Sequence, residues 1–180
     1  MKISKEPISN IVLLGYMGSG KTTVGQELAL QMSWRHLDLD DYIESKKKMT
    51  ISQIIESKGI LFFRKLEQTC LIELLEGAEQ TVISLGGGTP CYYDNMKLII
   101  EAPHTRSIYL RANVPFLTYR LFPEKAHRPL IAATTSEENL AEFIGKHLLE
   151  RSVFYNQADF TIDVQGKSPE LLVREITGLG

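Results

Sequence analysis

Short runs of strand character alternate along this chain with longer segments whose apolar residues recur at helical spacing. Ile11 to Leu14 is the first buried-strand candidate, and a helix over about Lys21 to Met32 follows it. Arg35 to Asp41 reads as a short strand ending in acids, with a helix from about Asp41 to Lys48 expected next. Thr50-Ile-Ser-Gln53 has the form of a capping box, opening a helix that Gly59 ends. Another helix is predicted over about Ile60 to Leu75, with Phe63, Leu66, Cys70 and Leu74 on one face. Thr81 to Leu85 reads as a buried strand running straight into Gly86-Gly87-Gly88.

A helix near Asp94 to Ile100 leads to a strand at Arg106 to Leu110, and Asn113 can cap a helix with Pro115 near its start. From Phe122 to Ser136 no period is sustained, and a loop that long in a compact domain is more often functional than idle. Thr135 is then expected to cap, with Glu138, a long helix reaching about Ala158. Phe160 to Val164 is the last strand, and Ser168-Pro-Glu170 starts the final helix. Alternation of this kind predicts a single α/β domain, its parallel sheet covered on both faces by helices.

The first strand–helix junction carries the clearest chemistry. Gly15-Tyr-Met-Gly18-Ser19-Gly20-Lys21-Thr22 satisfies the phosphate-loop pattern G-x-x-x-x-G-K-[ST]. Glycine backbone can turn successive N–H groups inward around a phosphate, and the helix after it points its unpaired N–H groups at the same anion. Lys21 is expected to reach the β- and γ-phosphates, and the Thr22 hydroxyl to complete a Mg²⁺ site. The chain is therefore expected to bind a nucleoside triphosphate.

Bulk properties exclude more than they specify. The net charge of -2 argues against nucleic acid as the main partner, and Lys46-Lys47-Lys48, the one basic run, suits a solvated helix end. Cys70 and Cys91 give neither metal spacing nor a disulfide framework, which fits a reducing cytosol. The N-terminal MKISKEPISN is polar, so neither signal peptide nor membrane span is expected, and the protein is placed in the cytoplasm.

The company of the phosphate loop narrows its use. Asp38 and Asp40 stand two apart at a strand end, where both carboxylates can project to one side beside the loop. One could hold Mg²⁺ or its waters while the other accepts the proton of an attacking hydroxyl. A plainer use of these acids is capping the next helix, a role assigned here to Asp41. Gly86 to Gly88 cost roughly 0.5–1 kcal/mol each in chain entropy relative to alanine, which a close approach of backbone to ligand would justify. No acidic pair ends that strand, so the metal burden shifts toward Asp38. Arg64 and Glu67 lie three apart on one helix face, and Arg151 sits late on the long helix. Two fixed guanidiniums would suit a carboxylate-bearing substrate, and Arg128 could enter on loop closure to neutralise the transferring phosphoryl group.

Taken in order, GYMGSGKTTVG at 15–25, LDLDDYIE at 37–44, FFRKLE at 62–67, SLGGGTP at 84–90, RPLI at 128–131, ERSVFY at 150–155 and TIDVQGKSPELLVREI at 161–176 resemble the shikimate kinase family of P-loop proteins, in the nucleoside monophosphate kinase-like group. The resemblance covers essentially the whole chain. It implies a five-stranded parallel sheet in three α/β/α layers and an ATP-dependent phosphotransferase acting on the 3-hydroxyl of shikimate, in aromatic amino-acid biosynthesis. It further implies a substrate-binding region at about 39–75, a lid at about 122–136 and a monomer. Carried over by motif, Lys21, Asp40 and Arg128 are catalytic, and Thr22 and Asp38 serve Mg²⁺. Gly18, Ser19, Gly20, Lys21, Thr22, Thr23, Arg120, Arg128 and Gln165 bind ATP, Arg120 and Gln165 on the adenine side, where Lys167 is a further contact. Asp40, Arg64, Gly86, Gly87, Gly88 and Arg151 bind shikimate.

Gluconate kinases, on the same scaffold, would also want an anionic hydroxylated substrate, but FR-x-x-E with GGG favours shikimate. A nucleoside monophosphate kinase fits less well, because two arginines and an acid pair do not describe a base pocket. A guanine-nucleotide switch would carry N-K-x-D, which the chain lacks. A nucleotide-binding module without transfer chemistry is the remaining alternative.

Overall fold

Strand β1 (Asn10–Leu14) is buried along its whole length, and its side chains alternate between two cores: Ile11 and Leu13 enter one, Val12 and Leu14 the other. β3 (Thr81–Ser84) splits Val82 and Ile83 the same way, and β4 (Thr105–Arg111) sets Ile108 and Leu110 against Tyr109. Strands apolar on both faces belong inside a parallel sheet. The computed structural model, which describes residues 7–128 and 130–179, shows that sheet in the order β2-β3-β1-β4-β5. All its pairs are parallel. Residues 1–6 of the polar N-terminal stretch and Pro129 of the expected lid lie outside the described residues.

Helices α1 (Lys21–Met32), α6 (Val114–Leu121), α7 (Glu137–Tyr155) and α8 (Pro169–Thr177) supply one core. Helices α2 (Leu39–Lys47), α3 (Ile51–Lys58), α4 (Ile60–Gly77) and α5 (Asn95–Glu101) supply the other. The edge strands β2 (Arg35–Asp38) and β5 (Phe160–Asp163) are more exposed. The expected three-layer α/β/α arrangement is the one that forms, and among the described residues no helix is long and apolar enough to cross a membrane.

Register positions the site. Leu13 pairs with Ser84, and Ser84 pairs with Asp38, so three strands finish level at their carboxyl ends. The phosphate loop, the three glycines and the first acid therefore leave the sheet side by side.

Local details correct several expectations. α2 begins at Leu39, and its cap is Asp38, whose carboxylate accepts from the Asp40 N–H at 3.0 Å; Asp41, expected as cap, sits in the first turn. α7 is capped by Ser136, whose Oγ accepts from Asn139 N at 3.2 Å, while Thr135 takes only the Asn139 side-chain amide. The helix stops at Tyr155 rather than near Ala158. Neighbouring Asp, Ser and Thr residues are all competent caps, Thr somewhat less than the others, and backbone φ/ψ selects among them. The capping box at Thr50 and Gln53 forms as predicted. Among its described residues, the irregular segment after α6 contains one 3-10 turn, Lys125–His127.

At Gly25 α1 lies close against the sheet. A Cβ there would lie 2.7 Å from His36 Nε2 and 2.8 Å from Ser84 Oγ, a pair bonded to each other at 3.0 Å. Gly25→Ala should cost about 1–3 kcal/mol by overpacking, read as a lower urea midpoint at unchanged slope. An unaltered midpoint would mean that the helix–sheet gap can widen freely.

Candidate active site

The phosphate loop is held against the sheet by its first glycine. Gly15 has φ +142°, and a Cβ on it would come within 2.6 Å of the Leu110 carbonyl oxygen, so no side chain fits. Ser19 is buried in the loop floor, and Gly20 takes a left-handed conformation to start α1. Lys21 Nζ donates to the carbonyls of Gly15 and Tyr16, at 2.9 and 3.0 Å. Burial lowers its pKa to about 8, against the pull of the Asp38 and Asp40 carboxylates.

An open cleft of about 340 Å³ lies over this loop. Gly18, Gly20, Lys21, Thr22, Thr23, Asp38, Asp40, Gly86, Gly87, Arg120 and Arg128 line it. Thr22 Oγ1 donates to Asp38 Oδ2 at 3.3 Å. Leu39, fully buried in the core beneath α2, anchors the turn so that the acids on either side of it both reach the cleft. The pair thus comes together through a helix start rather than through strand alternation, because Asp40 already belongs to α2. Burial, with the Asp38 and Glu67 charges nearby, pushes Asp40 up to about 7.

The three glycines make room for functional side chains, and none has a positive φ. A Cβ on Gly86 would sit 3.0 Å from Asp40 Oδ1, one on Gly87 3.3 Å from the Met17 N–H nitrogen, and one on Gly88 3.0 Å from Arg64 Nη2. Arg64 and Arg151 flank this strip outside the cleft proper, with Arg151 Nη1 3.7 Å from the Gly87 Cβ position. Arg64 Nη1 donates to Glu67 Oε2 at 2.8 Å, and Glu67, 1% exposed, also accepts from Thr89 Oγ1 at 2.7 Å. Tyr155 donates its hydroxyl proton to the Gly87 carbonyl.

On the opposite rim, Arg120 donates to the Gly18 carbonyl at 3.1 Å and lies over the Phe116 ring. Arg128 donates to Glu124 through Nη2 at 2.6 Å. Gln165 lies apart from the cleft lining, its buried Oε1 lacking a hydrogen-bond partner. Sequence reasoning missed Tyr92, whose ring lies 4.1 Å from the Arg64 guanidinium, and the Thr89 bond to Glu67. Glu124 was findable, since it stands four residues before Arg128.

A phosphate loop facing a part-buried carboxylate, with two guanidiniums beside the adjoining glycines, suits a small-molecule P-loop phosphotransferase. Comparison with known proteins particularises it. The family model described as shikimate kinase matches residues 17–178. The shikimate kinase of Flavobacterium johnsoniae is 43% identical over 169 residues, 94% of this chain and 97% of that protein. A crystal structure of shikimate kinase from Bacteroides thetaiotaomicron superposes with a TM-score of 0.87 at 34% identity, covering 95% of this chain and 97% of that one. A second, from Acinetobacter baumannii in complex with shikimate, gives 0.83 at 32% identity, covering 96% and 92%. The chain belongs to the shikimate kinase family, and it is an ATP-dependent phosphotransferase with an alcohol group as acceptor.

The Asp40 environment has a consequence for stability. Its carboxyl ionises ordinarily near 3.8 but in the fold only near 7, so the folded state holds the proton more tightly than the unfolded chain. Raising the pH through that interval draws stability away, fully so above about 7. In nucleotide- and metal-free protein, Asp40→Asn should therefore melt above the parent at pH 8, with the gap closing toward pH 4. A lower melting temperature for the variant at pH 8 would contradict this.

Proposed function

We propose that the cleft transfers the γ-phosphate of ATP to the 3-hydroxyl of shikimate, giving shikimate 3-phosphate and ADP. The observation that carries this reading is the convergence of Asp40, Arg64 and Arg151 on Gly86 to Gly88, a glycine strip that begins in the phosphate-loop cleft and leads out of it. Planar guanidiniums bind a carboxylate in bidentate fashion. Arg64 and Arg151 accordingly hold the acid group of shikimate. Asp40, poised near 7, orients the reacting hydroxyl and takes its proton. The backbone of Gly86 to Gly88 contacts this substrate, which residues 39–75 largely enclose.

On the nucleotide side, the loop from Gly18 to Thr23 receives the phosphates, with Ser19 in its floor. Lys21 leaves the carbonyls of Gly15 and Tyr16 for the β- and γ-phosphates. Arg120 and Gln165, with Lys167, face the adenine. Residues 122–136 act as a lid whose closure brings Arg128 from Glu124 to the transferring group. Thr22 and Asp38 offer a hydroxyl and a carboxylate oxygen within 3.3 Å of each other, a hard-oxygen pair fitting Mg²⁺ held jointly with nucleotide and water. Bound there, Mg²⁺ would neutralise charge on the phosphate oxygens. The two free cysteines fit a reducing cytoplasm, where the chain works as a monomer on small molecules.

A coupled ADP-release assay with Mg-ATP, comparing shikimate, gluconate and AMP, tests the reading. Release should depend on shikimate alone; turnover with gluconate or AMP instead would overturn the assignment of the acceptor. Arg64→Ala should raise KM for shikimate roughly ten- to a hundredfold while sparing KM for ATP, as loss of a charged hydrogen bond predicts. Asp40→Ala should lower kcat by roughly 10²–10⁴ with ATP binding intact, and near-normal turnover would remove it from the mechanism.

A further inference from the structure

Tyr16 belongs to the phosphate loop, yet its side chain turns away from the nucleotide side and is 1% exposed. Its ring lies beneath Arg151, whose guanidinium carbon is 5.5 Å from the ring centroid. Within about 6 Å a desolvated aromatic face attracts and orients a guanidinium. The ring is itself fixed, because the hydroxyl is hydrogen-bonded to His147 Nδ1 at 3.1 Å, and His147 packs on Phe143 with centroids 4.1 Å apart. Phe143, His147 and Arg151 recur every four residues on α7, so they form one stripe along that helix. Arg151 has no carboxylate among its described ion pairs, in contrast to Arg64, which Glu67 anchors. The Tyr16 ring, the glycine strip at Gly87 and the Tyr155 hydroxyl all lie near its guanidinium and limit where it can lie.

We propose that Tyr16 is a positioning residue for the acid substrate: its ring face fixes Arg151, so that a residue of the phosphate loop sets the geometry of the carboxylate site. This rests on the reading of Arg151 as a shikimate carboxylate ligand. The ring, rather than the hydroxyl, does the positioning; the bond to His147 only steadies it.

Steady-state kinetics on the full chain separate these roles. Arg151→Ala first tests the underlying reading, and an unchanged KM for shikimate would overturn that reading and the inference with it. Given a rise there, Tyr16→Leu should raise KM for shikimate about five- to tenfold, the loss expected for a part-buried cation–π contact, with KM for ATP within about twofold of the parent. Tyr16→Phe, which keeps the ring, should stay within about twofold for both substrates. Added to Arg151→Ala, Tyr16→Leu should cost nothing further, since the group it positions is gone. An equal rise in both backgrounds, equal losses for ATP and shikimate, or no rise in the parent would each overturn the proposal while leaving Arg151 in place. Should Tyr16→Leu fail to fold, Tyr16→Met fills more of the volume without an aromatic face and carries the same expectations.

Discussion

Parallel pairing of β2, β3 and β1 in a register that ends all three strands level is the constraint on which the site depends. Backbone hydrogen bonds hold that register, and burial of both sheet faces makes a slip costly, since it would exchange side chains between the two cores. Once the carboxyl ends are level, residues far apart in sequence need only one or two further positions to meet. Gly15 follows β1 directly, Asp38 ends β2, and Gly86 lies two residues beyond β3. The close contact between Gly15 and the Leu110 carbonyl then joins the loop to β4, so four strands contribute to its placement.

Within that frame, the cleft holds charges in arrangements the ligand-free fold does not favour. Burial pulls Lys21 down toward neutrality and pushes Asp40 up, although each lies near opposite charge. An anion bound at the loop would favour the charged form of Lys21 and oppose that of Asp40. The tension is contained by small residues. Gly86 and Gly88 leave space for Asp40 and Arg64 to lie against the backbone, where a methyl group would already crowd them. Buried Glu67 binds Arg64 and Thr89 together, fixing one guanidinium to the turn that follows the glycines.

Much of this was legible in the linear chain because the signals are local. The phosphate loop, α1 and the Thr50 capping box depend on residues within a few positions of one another, and each forms where spacing predicted. The misplaced caps at Asp41 and Thr135 show the limit of local reading: nearby residues that can all cap are separated largely by the backbone path entering the helix. The acid pair was recognised, but the reason given, alternation along a strand, was replaced by a helix beginning between the two residues. Tyr92, Thr89 and the side chain of Tyr16 left no signal, because an aromatic ring or hydroxyl acquires its partner only when distant segments pack.

By itself, the sequence determined the alternation of strands and helices, the nucleotide loop, the order of the family motifs and the residue types available for chemistry. These follow from periodicity and short spacings, which the covalent chain carries directly. Tertiary structure alone decided which of those residues share a cleft, that Arg64 gains a carboxylate partner, which aromatic rings Arg64 and Arg151 lie against, and how far Asp40 and Lys21 depart from their ordinary ionisation. Burial and long-range contact are properties of the packed sheet and its layers, and no segment possesses them until the others are in place.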